Sequence, residues 1–202
     1  NKKKLINICA AVECIHSYSL IHDDLPCMDN DSVRRGKPAT HIKYGEASAV
    51  LAGSSLLTLA FEIIADKKYK LNSKFKNEIL HSLANCSGQT GIAGGQELYL
   101  KFENKKKNII KIIDMQKKKT GKLFNFCLYA VGVIANQNKK EKFFLSNLGE
   151  EIGLLFQLSD DFLDIKSTKK LTGKSVKKDS KKGKSTLLNL LGEKKAYLYA
   201  LN

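Results

Sequence analysis

Proline is almost missing from this 202-residue chain: Pro26 and Pro38 are its only two, twelve positions apart. With the strongest helix breaker confined to one loop, everything after Pro38 is free to run as long helices. Collagen-like and proline-rich architectures are excluded. Arginine is equally scarce: of 35 cationic side chains, only Arg34 and Arg35 are arginine and 33 are lysine. The five cysteines, Cys9, Cys14, Cys27, Cys86 and Cys127, are odd in number and show no Cys-x-x-Cys spacing. A disulfide framework or a zinc knuckle is therefore not expected, and a reducing compartment such as the cytoplasm is. No stretch alternates in the manner of a half-buried strand. The start, Asn1-Lys-Lys-Lys, leads into an apolar run broken by Glu13 and His16, which does not read as a secretory signal. The most apolar later stretch, residues 47–65, contains Gly53, Ser54, Ser55, Thr58 and Glu62. It reads as a packed or interface helix, so no transmembrane segment is expected.

What is present is a hydrophobic fraction of 43%, enough for a buried core, in a length that suits one domain. The net charge of +15 invites a nucleic-acid reading. Its distribution argues otherwise. Residues 1–65 hold seven basic and seven acidic side chains, and the excess arrives later as scattered lysine runs, densest at 166–184 with nine Lys against one Asp. Readers of DNA rely on arginine forks and on aromatics that stack bases, and neither is interleaved here. The lysines read as solvated helix faces, and no nucleic-acid partner is expected.

Apolar periodicity predicts helices over residues 5–24, 47–65, 73–102, 108–135, 139–165 and 186–201, with a polar loop at 166–183. Ser73 is a candidate N-cap, and Gly88, Gly91, Gly94 and Gly95 loosen the third helix. The fold class is all-α: a bundle of long helices around a cavity.

Seven of the ten aspartates fall in two windows. The second window holds Asp160, Asp161 and Asp164, which can project toward one region because residues four apart share a helix face. Like charges so placed repel, and a bound cation would relieve them. A solvated helix end partnered by Lys166 and Lys169 is the alternative. The first window, Asp23, Asp24, Asp29 and Asp31, ends an apolar helix where Pro26 disfavours its continuation. It is followed at once by Arg34-Arg35. In a chain that otherwise uses lysine, two retained arginines point to a need for the planar five-donor fork. Carboxylates beside an arginine pair suggest metal and phosphate in one site. Magnesium is the natural ion, because it takes oxygen ligands and bridges carboxylates to phosphate.

These two windows resemble the paired aspartate-rich motifs of trans-isoprenyl diphosphate synthases, the polyprenyl synthetase family. Ile21 to Gly36 is similar to the Asp-Asp-x-x-x-x-Asp form of the first motif, found in bacterial farnesyl and in bacterial and plant geranylgeranyl enzymes. Phe156 to Asp164 is similar to the second. The resemblance extends through Tyr44-Gly-Glu46, Gly94-Gly95-Gln96, Lys119-Thr120-Gly121 and Gly183-Lys184-Ser-Thr186. It implies an isoprenoid-synthase-type bundle and a Mg²⁺-dependent prenyltransferase. Such an enzyme condenses isopentenyl diphosphate with an allylic diphosphate, dimethylallyl or geranyl, and releases diphosphate.

By the same resemblance, Asp23, Asp29 and Asp160 would hold Mg²⁺ most directly, with three ions per site and Mn²⁺ able to substitute. Asp24, Asp161 and Asp164 would ligate more weakly or orient metal-bound water, and Asp179 would support the cluster through water. Arg34, Lys119, Lys174 and Lys184 would grip the allylic diphosphate. Thr120, the Lys119 carbonyl and Gln157 would face the developing carbocation, and Arg35 and His16 would bind isopentenyl diphosphate. A homodimer is implied, in the cytoplasm or a plastid-like stroma. The family's N-terminal Gly-Gly-Lys-Arg type segment and most of its last helices find no counterpart, so residues 1–202 read as a single helical prenyltransferase domain lacking both ends. Ser32, Ser54 and Tyr99 stand where the family carries Asp, which keeps a weakly active or regulatory subunit of a heteromeric synthase as an alternative.

Product length follows from the helix that carries the first motif. Tyr18 lies five residues before Asp23, about 7.5 Å along the axis, with Ser19 beside it. A large ring there floors the cavity, and in the family it accompanies short products, so farnesyl diphosphate (C15) is expected, with geranyl (C10) and geranylgeranyl (C20) as alternatives. Tyr18→Ala is therefore expected to lengthen the product; an unchanged chain length by product chromatography would remove the cavity-floor argument.

Overall fold

The computed structural model describes residues 2–166 and 186–201, with side chains from Lys4 to Leu163 and from Thr186 to Leu201. Helix α1 (Lys2–Asp23) buries Ile8, Ala11, Ile15 and Tyr18, a spacing of three and four that lines one helix face. Helix α3 (Glu46–Ala65) buries Ala49, Gly53, Ala60 and Ile64 and packs along α1. At their contact His22 Nε2 lies 3.2 Å from the Val50 carbonyl. Residues Lys4–Asp23 and Glu46–Ala65 are each long and apolar enough to cross a membrane by length and composition; here they lie against each other. Between them the chain forms a two-residue antiparallel ribbon, β1 (Val33–Arg34) with β2 (Lys37–Pro38), and a short helix α2 (Thr40–Tyr44). The ribbon is a small departure from the strand-free expectation.

The helix predicted over 73–102 is two helices, α4 (Ser73–Ser87) and α5 (Ile92–Lys101). The glycines at 88 and 91 break it, with turn hydrogen bonds from Gly88 N to Ala84 O and from Gly91 N to Gly88 O. The cap is Asn72, not Ser73: its side chain accepts from Lys74 N at 2.9 Å. The run expected at 108–135 is continuous but not uniform. Helix α6 (Ile109–Gln116), capped by Asn108, passes into a π-helical turn (Lys117–Gly121) and then into α7 (Lys122–Ile134). Helix α8 (Lys139–Lys166) has 28 residues, about 42 Å of rise. Lys166, expected to open a polar loop, ends α8, and residues 167–183 of that expected loop lie outside the described residues. The last predicted helix is split into α9 (Leu187–Leu191) and α10 (Glu193–Leu201) by Gly192 at φ 74, a conformation that glycine adopts at little cost.

The apolar side chains form two clusters. One joins α1, α3, α4 and α7 around Ile15, Ile64, Leu83 and Phe126. The other joins α6, α8, α9 and α10 around Ile112, Met115, Leu158 and Leu187. Along the chain, the π-helical turn falls between Met115 of the second cluster and Phe126 of the first. Each fully buried side chain of this size contributes about 1.5–3 kcal/mol, so both halves are held by ordinary burial and the turn between them is held from either side.

A polar pin joins α4, α7 and α8. Glu78 Oε1 accepts from Tyr129 Oη at 2.7 Å and from Lys142 Nζ. Burial favours the protonated Glu78, yet the two hydrogen bonds and the Lys142 charge win and hold its pKa below the ordinary value. Burial and the same carboxylate push Tyr129 up to about 12. Glu78→Gln is expected to cost about 1–2 kcal/mol in urea unfolding. The depressed Glu78 pKa gives a contribution present above the ordinary carboxylate range and lost as pH falls through its folded value. The raised Tyr129 pKa gives one present below its ordinary value and lost as pH rises through about 12. Both limbs of the stability-versus-pH curve should flatten in the variant; unchanged limbs would rule the pin out.

Candidate active site

The first acidic window folds back onto the end of α1. Asp29 N donates to Asp23 O at 2.8 Å, Asn30 N to Leu25 O at 3.0 Å and Asp31 N to Asp24 O at 3.1 Å. These bonds bring Asp29 beside Asp23 and Asp31 beside Asp24. Asn30, at φ 50, takes the left-handed conformation that asparagine tolerates. The ribbon follows, with Arg34 opposite Lys37 and a two-residue turn of Arg35 (φ 51) and Gly36 (φ 75). Positive φ at both positions is the turn whose twist matches a tight antiparallel pair.

This backbone aims the two arginines differently. Arg34 turns inward: its Nε lies 3.1 Å from each Asp24 oxygen, and an Nη also donates to Asp24. Asp31 stands 4.0 Å away. Burial opposes the guanidinium charge, but the Asp24 hydrogen bonds and the Asp24, Asp31 and Asp23 carboxylates hold its pKa above the ordinary value. Asp24 is only 2% exposed, and in this structure it is engaged by Arg34 rather than open to an ion. Arg35 stands at the turn tip, with its Nη 3.2 Å from His16 Nε2. Two residues that the resemblance assigns to one subsite, nineteen positions apart, thus meet.

The second element is the π-helical turn. Its extra residue per turn displaces side chains from α-helical register, and such bulges gather at functional sites. The turn is packed at backbone distance on two sides. A Cβ on Gly95 of α5 would lie 2.2 Å from Lys119 N, and one on Gly153 of α8 would lie 2.6 Å from Gly121 Cα; nothing larger than glycine fits either contact. Lys119 Nζ reaches to 3.9 Å from Asp23 Oδ2 and 3.7 Å from the Tyr99 ring centroid. Burial pushes the Asp23 carboxyl up, Lys119 and Arg34 draw it down, and Asp29 and Asp24 add to the rise. The net is a carboxyl held above its ordinary value, a group in want of more positive charge.

The next residue joins the second window. Thr120 Oγ1 donates to Gln157 Oε1 at 2.9 Å, and Gln157 Nε2 donates to Asp161 Oδ1 at 2.9 Å. Gln116 Nε2 lies 3.3 Å from the other Asp161 oxygen. The chain Asp23, Lys119-Thr120, Gln157, Asp161 therefore connects the two acidic windows through two successive residues of one turn. Asp160, on the same helix, is exposed, and Asp161 is buried. A cavity of about 30 Å³ lies in this network, lined by Tyr99, Met115, Gln116, Lys119, Thr120, Gln157 and Thr186.

The remaining candidates have simple placements. Tyr18 is buried in the first cluster; its hydroxyl donates to Ser87 O at 3.3 Å and its ring meets His22 edge-on at 5.5 Å. Ser19 Oγ donates to His16 O within α1. Lys174, Asp179, Lys184 and the Asp164 side chain lie outside the described residues.

The polyprenyl synthetase family model matches residues 1–197 of the chain. The chain belongs to the polyprenyl synthetase family. It is 38% identical over 192 residues to a farnesyl diphosphate synthase of Bacillus subtilis, covering 95% of this chain and 65% of that protein. It is 40% identical over 183 residues to a geranylgeranyl diphosphate synthase of Cyanophora paradoxa, covering 90% and 61%. A crystal structure of a Helicobacter pylori geranyltransferase complexed with magnesium and isoprenyl diphosphate superposes with a TM-score of 0.89 at 36% identity, covering 98% of this chain and 64% of that one. The chain thus spans less than two thirds of the length of each.

The donor set of this polyprenyl synthetase chain fits magnesium. Among the described residues no three His, Cys, Asp or Glu side chains form a group that could hold an ion by themselves. Magnesium is a small hard cation that takes oxygen ligands, keeps most of its waters and uses one or two carboxylates plus phosphate. The raised Asp23 carboxyl, crowded by Asp29 and Asp24, is the group such a cation would relieve.

Gln116 is the functional-site residue that the sequence did not disclose. It is 3% exposed, and its Oε1 has no hydrogen-bond partner among the described residues. The available signal was an amide four residues after Ile112 on a buried helix face, where an apolar residue would be the default. Gln116→Leu removes one of the amides facing Asp161. A loss of about 1–3 kcal/mol is expected, read by urea unfolding; a loss below about 0.5 kcal/mol, the usual scatter for surface changes, would show that the contact is incidental.

Proposed function

We propose that this protein is a Mg²⁺-dependent short-chain prenyltransferase that joins isopentenyl diphosphate to an allylic diphosphate. The observation that carries this reading is the link between the two acidic windows through Lys119-Thr120. It puts a cation and a line of oxygen dipoles between two carboxylate groups. The reaction breaks the allylic C–O bond, forms a C–C bond to the isopentenyl double bond, and loses one proton, releasing diphosphate.

Asp23, Asp29 and Asp160 would hold magnesium, whose charge supplies electrostatic stabilisation of the leaving diphosphate. The chain's own residues do the rest. Lys119 Nζ offers a positive charge beside Asp23, and the Lys174 and Lys184 ammonium groups are assigned to the same anion. Arg34, assigned by the family resemblance to the allylic diphosphate, is held in place by Asp24. Thr120 and Gln157 present oxygens to the allylic carbon as it becomes positive, and Asp161 keeps the Gln157 amide turned so that its carbonyl points away from Asp161. Arg35 at the turn tip and His16 on α1, in contact with each other, would take the isopentenyl headgroup. No side chain near the reacting carbons need act as base, because the departing diphosphate can accept the proton.

The buried Tyr18 ring supports a short product, farnesyl diphosphate. The exposed apolar side chains Val50, Leu51 and Leu59 on α3 support a homodimer. The five free thiols and the bacterial relatives support a cytoplasmic setting. Full-length protein given isopentenyl and geranyl diphosphates is expected to release diphosphate only with Mg²⁺, and Asp23→Ala to lower the rate by at least about 100-fold, some 2.7 kcal/mol of transition-state stabilisation. Release that persists in EDTA would sink the proposal.

A further inference from the structure

Lys119 is seated from one helix by two different contacts. Gly95 of α5 packs against its backbone, where a Cβ would lie 2.2 Å from Lys119 N. Tyr99 is four residues later and so on the same face of α5; its ring lies under the ammonium, 3.7 Å from Nζ to centroid. The Asp23 Oδ2 carboxylate oxygen stands 3.9 Å from the same nitrogen, beyond hydrogen-bonding distance. The ring face is thus a direct partner of the ammonium, and it is a neutral one.

That neutrality has a consequence. A lysine ammonium is a compact, strongly hydrated charge on a flexible stem. An aromatic face attracts it electrostatically while leaving its net charge intact. Restricting the stem in advance lowers the ordering cost when the anion binds. We propose that Tyr99 is a positioning residue that seats the Lys119 ammonium over its ring and so sets the affinity of the site for the diphosphate of the allylic substrate. This rests on the prenyltransferase reading above.

The test uses inorganic diphosphate with Mg²⁺ as a calorimetric probe of the full chain, beside steady-state kinetics. Tyr99→Phe keeps the ring face and is expected to leave diphosphate affinity within about twofold. Tyr99→Leu removes it and is expected to weaken diphosphate about tenfold, equivalent to about 1.4 kcal/mol. The allylic KM should rise to match, while kcat and the isopentenyl KM stay within about twofold. Ring-current shifts of the Lys119 ε-methylene protons should survive Tyr99→Phe and vanish in Tyr99→Leu. Equal behaviour of the two variants, or equal rises in both KM values, overturns the proposal. If Tyr99→Leu unfolds, stepwise fluorination of the ring in Tyr99→Phe must weaken diphosphate binding in step with the fluorine count, and a flat response overturns it. Unaltered protein that binds no diphosphate overturns the prenyltransferase reading itself; unaltered protein that binds, with Tyr99→Leu binding as tightly, overturns the Tyr99 assignment alone.

Discussion

The close packing of one π-helical turn against two glycines governs the rest of the site. Gly95 and Gly153 bring α5 and α8 to backbone distance from residues 117–121, closer than any side chain would allow. The turn cannot slide or rotate without a clash on one side. Lys119 is consequently fixed toward the first acidic window and Thr120 toward the second. Interiors are packed densely enough that a single methyl is felt, so this contact sets positions that no individual hydrogen bond at the site could set.

The electrostatics build on that frame. The first window concentrates carboxylates at the end of an apolar helix, and its own arginine balances part of them. Asp24, buried, and Arg34, half-buried, form a bidentate pair that spends charge on architecture. Asp23 lies beside Lys119 and is held above its ordinary pKa chiefly by burial. The division gives neighbouring acids different surroundings: Asp24 is tied to Arg34, and Asp23 lies beside Lys119. The second window divides likewise, since Asp161 is enclosed by the amides of Gln116 and Gln157 while Asp160 faces outward.

The helices were largely legible because they depend on apolar periodicity, which is local. The spans of α1, α3 and α8 lie within a few residues of their predicted limits. The misses share one cause. The breaks at 88–91 and at Gly192, and the shift of a cap from Ser73 to Asn72, turn on backbone geometry that composition signals only as looseness. The π-helical turn is hidden altogether, because one extra residue leaves the hydrophobic pattern on either side nearly unchanged.

By itself the sequence determined that long helices follow Pro38, that the chain's meaningful charges are the clustered aspartates and the two arginines, and which family the pattern resembles. These follow from residue type and short-range spacing. Only the tertiary structure decided which aspartate pairs with which cation, that Arg35 meets His16, that Lys119 rests on Tyr99, and that Gln116 belongs to the site at all. Those pairings join residues far apart in the chain, and they are set by how closely two helices can approach, a quantity that depends on both helices at once.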